Sequence, residues 1–316
     1  MTPESVRLLA RLADGRVVSG ARYAAERGIS RAAVWKQVDQ LRRAGLPVDA
    51  RPGGGYRLRW PVALLDGAAL SGALGPSGPT HEIRSMVDST NRVLSSDFRH
   101  RHALLAEAQS AGRGRRGRNW LSPLAAGVWL SFGYRFEFGL ARLGTLGLVA
   151  GIASADALAD LGVPTRLKWP NDLVIDGRKL GGLLVEGRGA GEGPCDVVVG
   201  VGVNVRLPGD ETRPDQPWVD VHGAVGSTPD RTALAAELIR SLDRACARFE
   251  AEGFAAFRPR WESLDALAGR AVDVEFADGR RATGRADGVS DHGELRVAVA
   301  GDVVLATAGE VHVRPA

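Results

Sequence analysis

From Gln109 to Trp120 the chain runs Gln-Ser-Ala-Gly-Arg-Gly-Arg-Arg-Gly-Arg-Asn-Trp, setting Arg113, Arg115, Arg116 and Arg118 among Gly112, Gly114 and Gly117. No helix or strand accommodates it. Glycine destabilises a helix interior, the arginines have no apolar partner face, and no strand or helix period runs through the stretch. It predicts a loop, mobile when empty. Its glycines let backbone N–H groups approach an anion, and its guanidiniums can clamp phosphate or carboxylate. A basic loop that binds nucleic acid, or is merely solvated, has the same composition, so the stretch alone does not choose.

At 316 residues with 44% hydrophobic and 25% charged residues, the chain has room for two or three folded domains. No signal-peptide core opens it and no run of eighteen apolar residues appears, which predicts a cytoplasmic protein without a membrane partner. Cys195 and Cys246 show no metal or redox spacing and are expected as free thiols. His100-x-His102 lacks a third ligand, so no metal site is predicted. The net charge is only +4, yet 38 arginines stand beside just three lysines, Lys36, Lys168 and Lys179. Where arginine replaces lysine so thoroughly, the lysines that remain are candidates for work that needs a compact ammonium.

The first sixty residues have the layout of a DNA reader. Ser5–Ala13 and Ser19–Arg27 read as short helices, the second closed by Gly28. Ser30 is a natural N-cap for Arg31–Ala44, whose Val34, Val38 and Leu41 form one buried stripe. Arg31, Trp35, Lys36, Gln37 and Arg42 then lie outward. Val48–Arg59, folded about a glycine-rich tip, reads as a β-hairpin wing, which completes a winged helix-turn-helix. On DNA, Arg31, Lys36 and Arg51 would meet phosphates while Trp35 and Gln37 touch bases. A helical bundle for protein contacts is the alternative. Pro61 marks the linker.

Strands and helices then mix without a βαβ rhythm. Val128–Phe136, Thr165–Trp169, Leu183–Gly187 and Val197–Val205 read as strands, and Leu143–Leu161 and Thr232–Glu252 as helices. The expectation is an α+β, mixed-sheet domain. Lys168-Trp-Pro-Asn-Asp172 is a turn carrying an amide and a carboxylate. Lys179 follows just ahead of an apolar strand, and Asn204 ends Gly-Val-Gly-Val-Asn. A lysine near a carboxylate is by default a salt bridge.

Taken together, GRGRRGRNW, KWPND, RKLGGLLVE and GVGVN, in this order behind Asp88-Ser-Thr-Asn91, resemble the biotin–protein ligases. With a winged helix-turn-helix in front, the chain is similar to the bifunctional bacterial members that also repress biotin synthesis genes. The resemblance covers nearly the whole chain. It implies ATP-dependent activation of biotin to biotinoyl-5′-AMP, then transfer to a lysine of a biotin carboxyl carrier protein or domain. ATP, Mg2+ and biotin (substrate and corepressor precursor), operator DNA and a ligand-promoted homodimer are implied with it. Both chemical steps place charge on phosphate or acyl oxygens, which preorganised cations stabilise without a protein nucleophile.

Carried over by position, Ser89, Thr90, Asn91 and Gln109 fall with the biotin-holding residues, together with Gly112, Arg113, Arg115, Arg116 and Gly182. Lys179 matches the lysine on the reacting carboxylate, and Lys168 and Asn171 match positions at the nucleotide phosphates. Arg115, Arg116, Arg118, Trp120 and Asn204 fall near the adenylate, as does Arg314 from the tail. Asp172 is placed to take a proton from the incoming lysine or to organise a metal or water. Lys179, Asp172, Arg115 and Lys168 form the implied catalytic set. One departure stands out: Asn119 replaces a basic residue after the arginine run, which bears on loop closure, not on the reaction class.

From about Leu267 short β runs, Val272–Phe276, Arg281–Val289, Leu295–Val299 and Val303–Leu305, suggest a small barrel. The family implies an SH3-like domain there. The expected fold is therefore α+β and multidomain: a winged helix-turn-helix over 1–60, a class II synthetase-like mixed-sheet ligase domain over 61–266, and a small barrel over 267–316. Rival expectations are a lipoate ligase, a biotin-sensing transcription factor without catalysis, and a ligase whose first domain no longer binds DNA.

Overall fold

The computed structural model describes residues 3–51, 54–208, 217–276, 281–307 and 311–315. At the N-terminus α1 (Pro3–Leu12), α2 (Gly20–Arg27) and α3 (Arg31–Arg43) precede a hairpin of β1 (Val48–Arg51) and β2 (Gly55–Leu58). Polar caps set the helix ends. Ser19 Oγ accepts from Arg22 N, Ser30 Oγ accepts from Ala33 N at 3.1 Å, and Gly28 takes the left-handed conformation that ends α2. Leu8, Leu9 and Leu12 pack with Val34, Val38 and Leu41 into a separate core. Residues 52 and 53 of the wing tip lie outside the described set.

One expectation on α3 is corrected. Arg31, Trp35 and Lys36 are exposed, as is Arg51 on the wing, but Gln37 is 8% exposed. It sits three residues after Val34, so it joins the stripe of Val34, Val38 and Leu41. A base contact from this position is not available.

The central unit is a seven-stranded sheet in the order β3-β4-β5-β9-β8-β7-β6. Its strands are β3 (Thr80–Arg84), β4 (His102–Ala106), β5 (Gly127–Phe136), β6 (Arg166–Lys168), β7 (Asp172–Ile175), β8 (Arg178–Gly189) and β9 (Cys195–Asn204). Only β3 and β4 run parallel. The helices are α4 (Gly67–Leu74), α5 (Thr90–Ser96), α6 (Leu146–Ala159), α7 (Val221–Val225), α8 (Arg231–Glu252) and α9 (Arg258–Leu264). α6 and α8 cover one face of the sheet and α5 covers part of the other. Leu140–Ala159, a 3-10 turn running into α6, is by length and composition able to cross a membrane, but 61% of its most apolar window is buried inside the fold. It is the core helix against which α8 packs.

The connection from the N-terminal unit is held tightly. Arg231 donates to Ala63 O (2.6 Å), Gly127 O (3.0 Å) and Glu107 Oε2 (2.6 Å), while Glu107 Oε1 accepts from Leu65 N. Leu124 N donates to Ala44 O at 2.7 Å, so the end of α3 also rests on the central unit.

The tail forms a five-stranded antiparallel sheet in the order β13-β12-β11-β10-β14 among the described residues. These are β10 (Ala271–Phe276), β11 (Arg281–Val289), β12 (Leu295–Val299), β13 (Asp302–Ala306) and β14 (Val311–Pro315). Val272, Val274, Leu295 and Val297 bury into the main core. The β11–β12 turn docks on the central unit, where Gly293 O accepts the indole N–H of Trp169 at 2.9 Å.

Candidate active site

Strand β9 separates two surfaces by simple alternation. Val197, Val199, Val201 and Val203 are buried in the main core, whereas Gly200, Gly202 and Asn204 occupy the opposite face. In register, Lys168 pairs with Asp172, Asp172 with Gly182, Gly182 with Gly202, and Gly202 with Trp129. One row across the sheet therefore carries an ammonium and a carboxylate at one end, two glycines in the middle and an indole beyond them. Trp120 occupies the groove over the glycines. A Cβ on Gly202 would lie 2.6 Å from Trp120 Nε1, so only glycine admits the ring so close.

Lys179 reaches this face through a bulge. Gly181 pairs with Leu173, but the next partner of Val174 is Lys179, leaving Leu180 as the extra residue. Regular alternation would aim Lys179 to the core side with Gly181 and Leu183. The bulge turns it over, and its Nζ lies 2.7 Å from Asp172 Oδ1, each side chain 18% exposed. The same ammonium stands 5.3 Å from the Trp120 ring centroid. Lys179 N and O are held by Pro217 O and Val219 N.

The arginine-rich stretch, expected as an irregular loop, is a folded hairpin. Trp120 N donates to Gly112 O (2.8 Å) and Gly114 N to Arg118 O (2.7 Å). The chain reverses in a 3-10 turn at Arg115–Gly117, where Arg116 (φ 56°) and Gly117 (φ 73°) are left-handed. Gly112 is required because a Cβ there would meet Trp120 O at 2.4 Å. Arg113 pairs with Glu186 at 3.0 Å and Arg115 Nη1 lies 3.4 Å from Asn171 Oδ1. Arg116 and Arg118 are exposed. Burial, then neighbouring Arg116, pulls Arg115 below the ordinary arginine value, with Asp172 pulling it back; it stays charged.

Ser89, Thr90 and Asn91 open α5, Ser89 as its N-cap. Gln109 Oε1 accepts from Thr90 N (2.8 Å) and Thr90 Oγ1 (3.1 Å), and Gln109 Nε2 donates to Ser122 Oγ (2.7 Å). Asn91 is turned inward. Its amide donates to Leu184 O and Glu186, and its oxygen accepts from Ser131. Asn171 braces the Lys168–Asp172 turn by donating to Leu183 O at 2.7 Å. Lys168 is half-buried and makes no ion pair among the described residues. Asn204, 5% exposed, donates to Val219 O. Arg314 pairs with Asp273 along β14, and its side chain lies outside the described residues. Two polar residues missed from sequence, Glu186 and Ser131, join this cluster. The Glu that closes RKLGGLLVE was the available signal for the first.

His100 and His102 are occupied separately, His100 Nδ1 accepting from Arg135 N and His102 Nδ1 lying 2.8 Å from Thr80 Oγ1. What converges on the glycine-floored face is cationic: Lys179, Arg113 and Arg115, with Lys168 at its end. Such a set stabilises a carboxylate and phosphates together, next to a pocket of neutral hydrogen-bonding groups at Thr90 and Gln109.

Known proteins resemble this chain in sequence and fold. A family model described as the biotin/lipoate A/B protein ligase family matches residues 83–204, and an HTH domain model matches residues 6–57. The chain is 38% identical to the bifunctional ligase/repressor BirA of Escherichia coli, over 98% of this chain and 97% of that protein. It is also 38% identical to the biotin–[acetyl-CoA-carboxylase] ligase of Mycobacterium tuberculosis, over 67% of this chain and 79% of that one. Among solved structures, the biotin protein ligase from Aquifex aeolicus in complex with biotin and ATP matches with a TM-score of 0.65. It is 25% identical, over 75% of this chain and 99% of that chain.

Proposed function

The chain belongs to the biotin–protein ligase family, and we propose that it joins biotin to an acceptor lysine and represses transcription through its N-terminal unit. Biotin and ATP are the substrates. In the first step a carboxylate oxygen of biotin attacks the α-phosphorus of ATP and pyrophosphate leaves. In the second the acceptor amine attacks the acyl carbon of biotinoyl-5′-AMP and AMP leaves.

The observation that carries this is the Lys179–Asp172 pair beside the arginine hairpin, on the face floored by Gly182 and Gly202. Lys179 neutralises the biotin carboxylate as it nears the phosphate, where two anions would otherwise repel. Arg113, Arg115, Arg116 and Lys168 serve the phosphates, with Mg2+ as the usual companion of ATP. Asn171 positions Arg115 and the Lys168 turn. Thr90 and Gln109, flanked by Ser89, Gly112 and Gly182, hold the ureido ring. Trp120, Arg118, Asn204 and Arg314 line the adenylate side. Asp172 accepts the proton of the incoming lysine once Lys179 has turned to the ligand. Asn91 is best read as a support for this pocket, since its amide is spent inside the protein.

Arg31, Trp35, Lys36 and Arg51 form the DNA-facing surface, and operator DNA is the second partner. The acceptor is a biotin carboxyl carrier protein or domain. Adenylate binding promotes a homodimer that spans two half-sites, and the compartment is the cytoplasm, which the buried free thiols Cys195 and Cys246 suit. The domain limits 1–60, 61–266 and 267–316 belong to the same proposal, supported by the three separate sheets.

The test is direct: purified protein, ATP, magnesium and biotin with a carrier domain, read by streptavidin blot, with lipoate and Lys179→Ala controls. A biotin- and ATP-dependent band that the variant loses is the expected result. Tight biotin binding without transfer would indicate a sensor, and the absence of both binding and transfer would overturn the assignment.

A further inference from the structure

A hydrogen-bonded path leaves one end of the arginine hairpin and returns to the other through the interior. Glu186 Oε1 takes Arg113 Nη2 at 3.0 Å, and its Oε2 takes Asn91 Nδ2 at 2.9 Å. Asn91 Oδ1 lies 2.5 Å from Ser131 Oγ, itself 2.8 Å from Thr90 Oγ1. Thr90 donates to Gln109. From Gln109 the path continues to Ser122, whose Oγ lies 3.3 Å from Trp120 O. Trp120 is the residue whose N–H closes the hairpin onto Gly112.

The hydrogens along this path do not suffice for every contact. Ser131 and Thr90 own one hydroxyl hydrogen each, yet the contacts Ser131–Asn91, Ser131–Thr90 and Thr90–Gln109 each call for one. Asn91 Oδ1 can only accept, because its amide already serves Leu184 O and Glu186, so the Ser131 hydrogen is committed to Asn91. The Thr90 hydrogen is left to choose between Ser131 and Gln109. A ligand group that engages Thr90 or Gln109 decides that choice. When the Thr90 hydrogen turns to Ser131, Ser131 Oγ accepts as well as donates, which strengthens its bond to Asn91 through residues that are almost wholly buried, Ser131 at 0% and Asn91 at 4% exposed.

We infer that Asn91, Ser131 and Glu186 are positioning residues that couple occupancy of the Thr90–Gln109 pocket to the placement of Arg113 and closure of the hairpin, without touching ligand themselves. The inference rests on the assignment of that pocket to biotin. Glu186 is the pivotal member, since one carboxylate serves Asn91 with one oxygen and Arg113 with the other. In Glu186→Gln the single amide oxygen can serve only one of these donors, and the amide N–H2 opposes the second. Ser131→Ala cuts the path at its middle with no change of charge and at a distance from the hairpin.

Hydrogen exchange of the segment 110–121 in the full-length protein, with and without saturating biotin, tests this alongside the biotin Kd. In the unmodified protein biotin should slow exchange by about 10-fold or more, whereas in both variants the slowing should fall below about 2-fold with Kd held within about 3-fold. Equal protection in the unmodified protein and both variants would overturn the coupling. A large loss of biotin affinity in Glu186→Gln would overturn it differently, by making Glu186 a binding group. Should that variant fail to fold, Ser131→Ala decides alone. An unmodified protein that binds no biotin would instead sink the assignment of the pocket.

Discussion

Lys179 and Asp172 face each other because Leu180 is an extra residue in β8: pairing jumps from Leu173–Gly181 to Val174–Lys179, and the lysine changes faces. The placement makes opposite demands of two changes in this strand. Lys179→Ala should lower adenylate formation by about 100-fold or more while the fold persists. Deleting Leu180 removes the bulge but leaves Lys179 opposite Val174, on the same face as Asp172, and should cost far less adenylate formation than the alanine change. Pyrophosphate release with biotin and ATP measures both, and near-normal turnover in Lys179→Ala would refute the placement.

Gly202→Ala adds a Cβ where Trp120 Nε1 already lies within 2.6 Å. Trp120 must leave the groove, and the hairpin it closes must reopen. Activity should drop by about 10-fold or more, with the melting temperature changed by only a few degrees. Val201→Ala, one residue away on the core face, should show the reverse: a clear loss of stability of about 0.5–1.5 kcal/mol or somewhat more and little effect on turnover per folded molecule.

Asp265 gives a pH dependence with a defined sign. It is 1% exposed, and burial raises its carboxyl pKa, partly offset by the N–H of Leu267 and by Arg166. A folded-state pKa above the unfolded one means stability is fully present below the unfolded value and is lost as pH rises through the folded one. Asp265→Asn keeps an acceptor for Leu267 and removes that loss. It should melt higher than the parent near neutral pH, with the gain fading toward pH ~4. Thermal melts at acid and neutral pH decide, and a gain that grows on acidification would contradict the sign.

Breaking the Arg231–Glu107 pair should be costly. Glu107→Ala leaves a guanidinium buried without its carboxylate and frees Leu65 N, a loss of about 3–5 kcal/mol in urea unfolding. A loss below about 1 kcal/mol would mean the site relaxes enough to admit water.

On the DNA face, Arg31→Ala, Lys36→Ala and Arg51→Ala together should weaken operator binding and flatten its salt dependence without touching ligation. Gln37→Leu should leave DNA binding unchanged, because Gln37 is inside and its Oε1 has no partner there. A salt titration of gel shifts separates the two outcomes.

How much of this was legible in the chain follows from how local each signal is. Ser19, Gly28 and Ser30 punctuate the first helices within a few residues, and the tail's β11 and β12 begin and end where alternation and turn residues place them. The GVGVN motif was visible, but its division into core valines and site glycines needs the neighbouring strands. β3, β4 and α5 went unrecognised because parallel pairing and a seven-residue helix leave little periodicity. Gln37 was misplaced for a related reason: polarity was taken for exposure although its spacing from Val34 put it on the buried stripe. The Leu180 bulge is a relation between two strands, and nothing within either strand announces it. The same holds for Ser131 and Glu186, which meet Asn91 across separations of 40 and 95 residues.

The connection at Ala63–Leu65 is gripped by Arg231 and Glu107, and the end of α3 leans on Leu124. It acts as a splint and not as a tether. A tethered reader would search for its sequence in many directions at little cost. A splinted one presents α3 in a single direction relative to the ligase body, so in the proposed homodimer the distance between two readers on one stretch of DNA becomes a dimension of the enzyme itself.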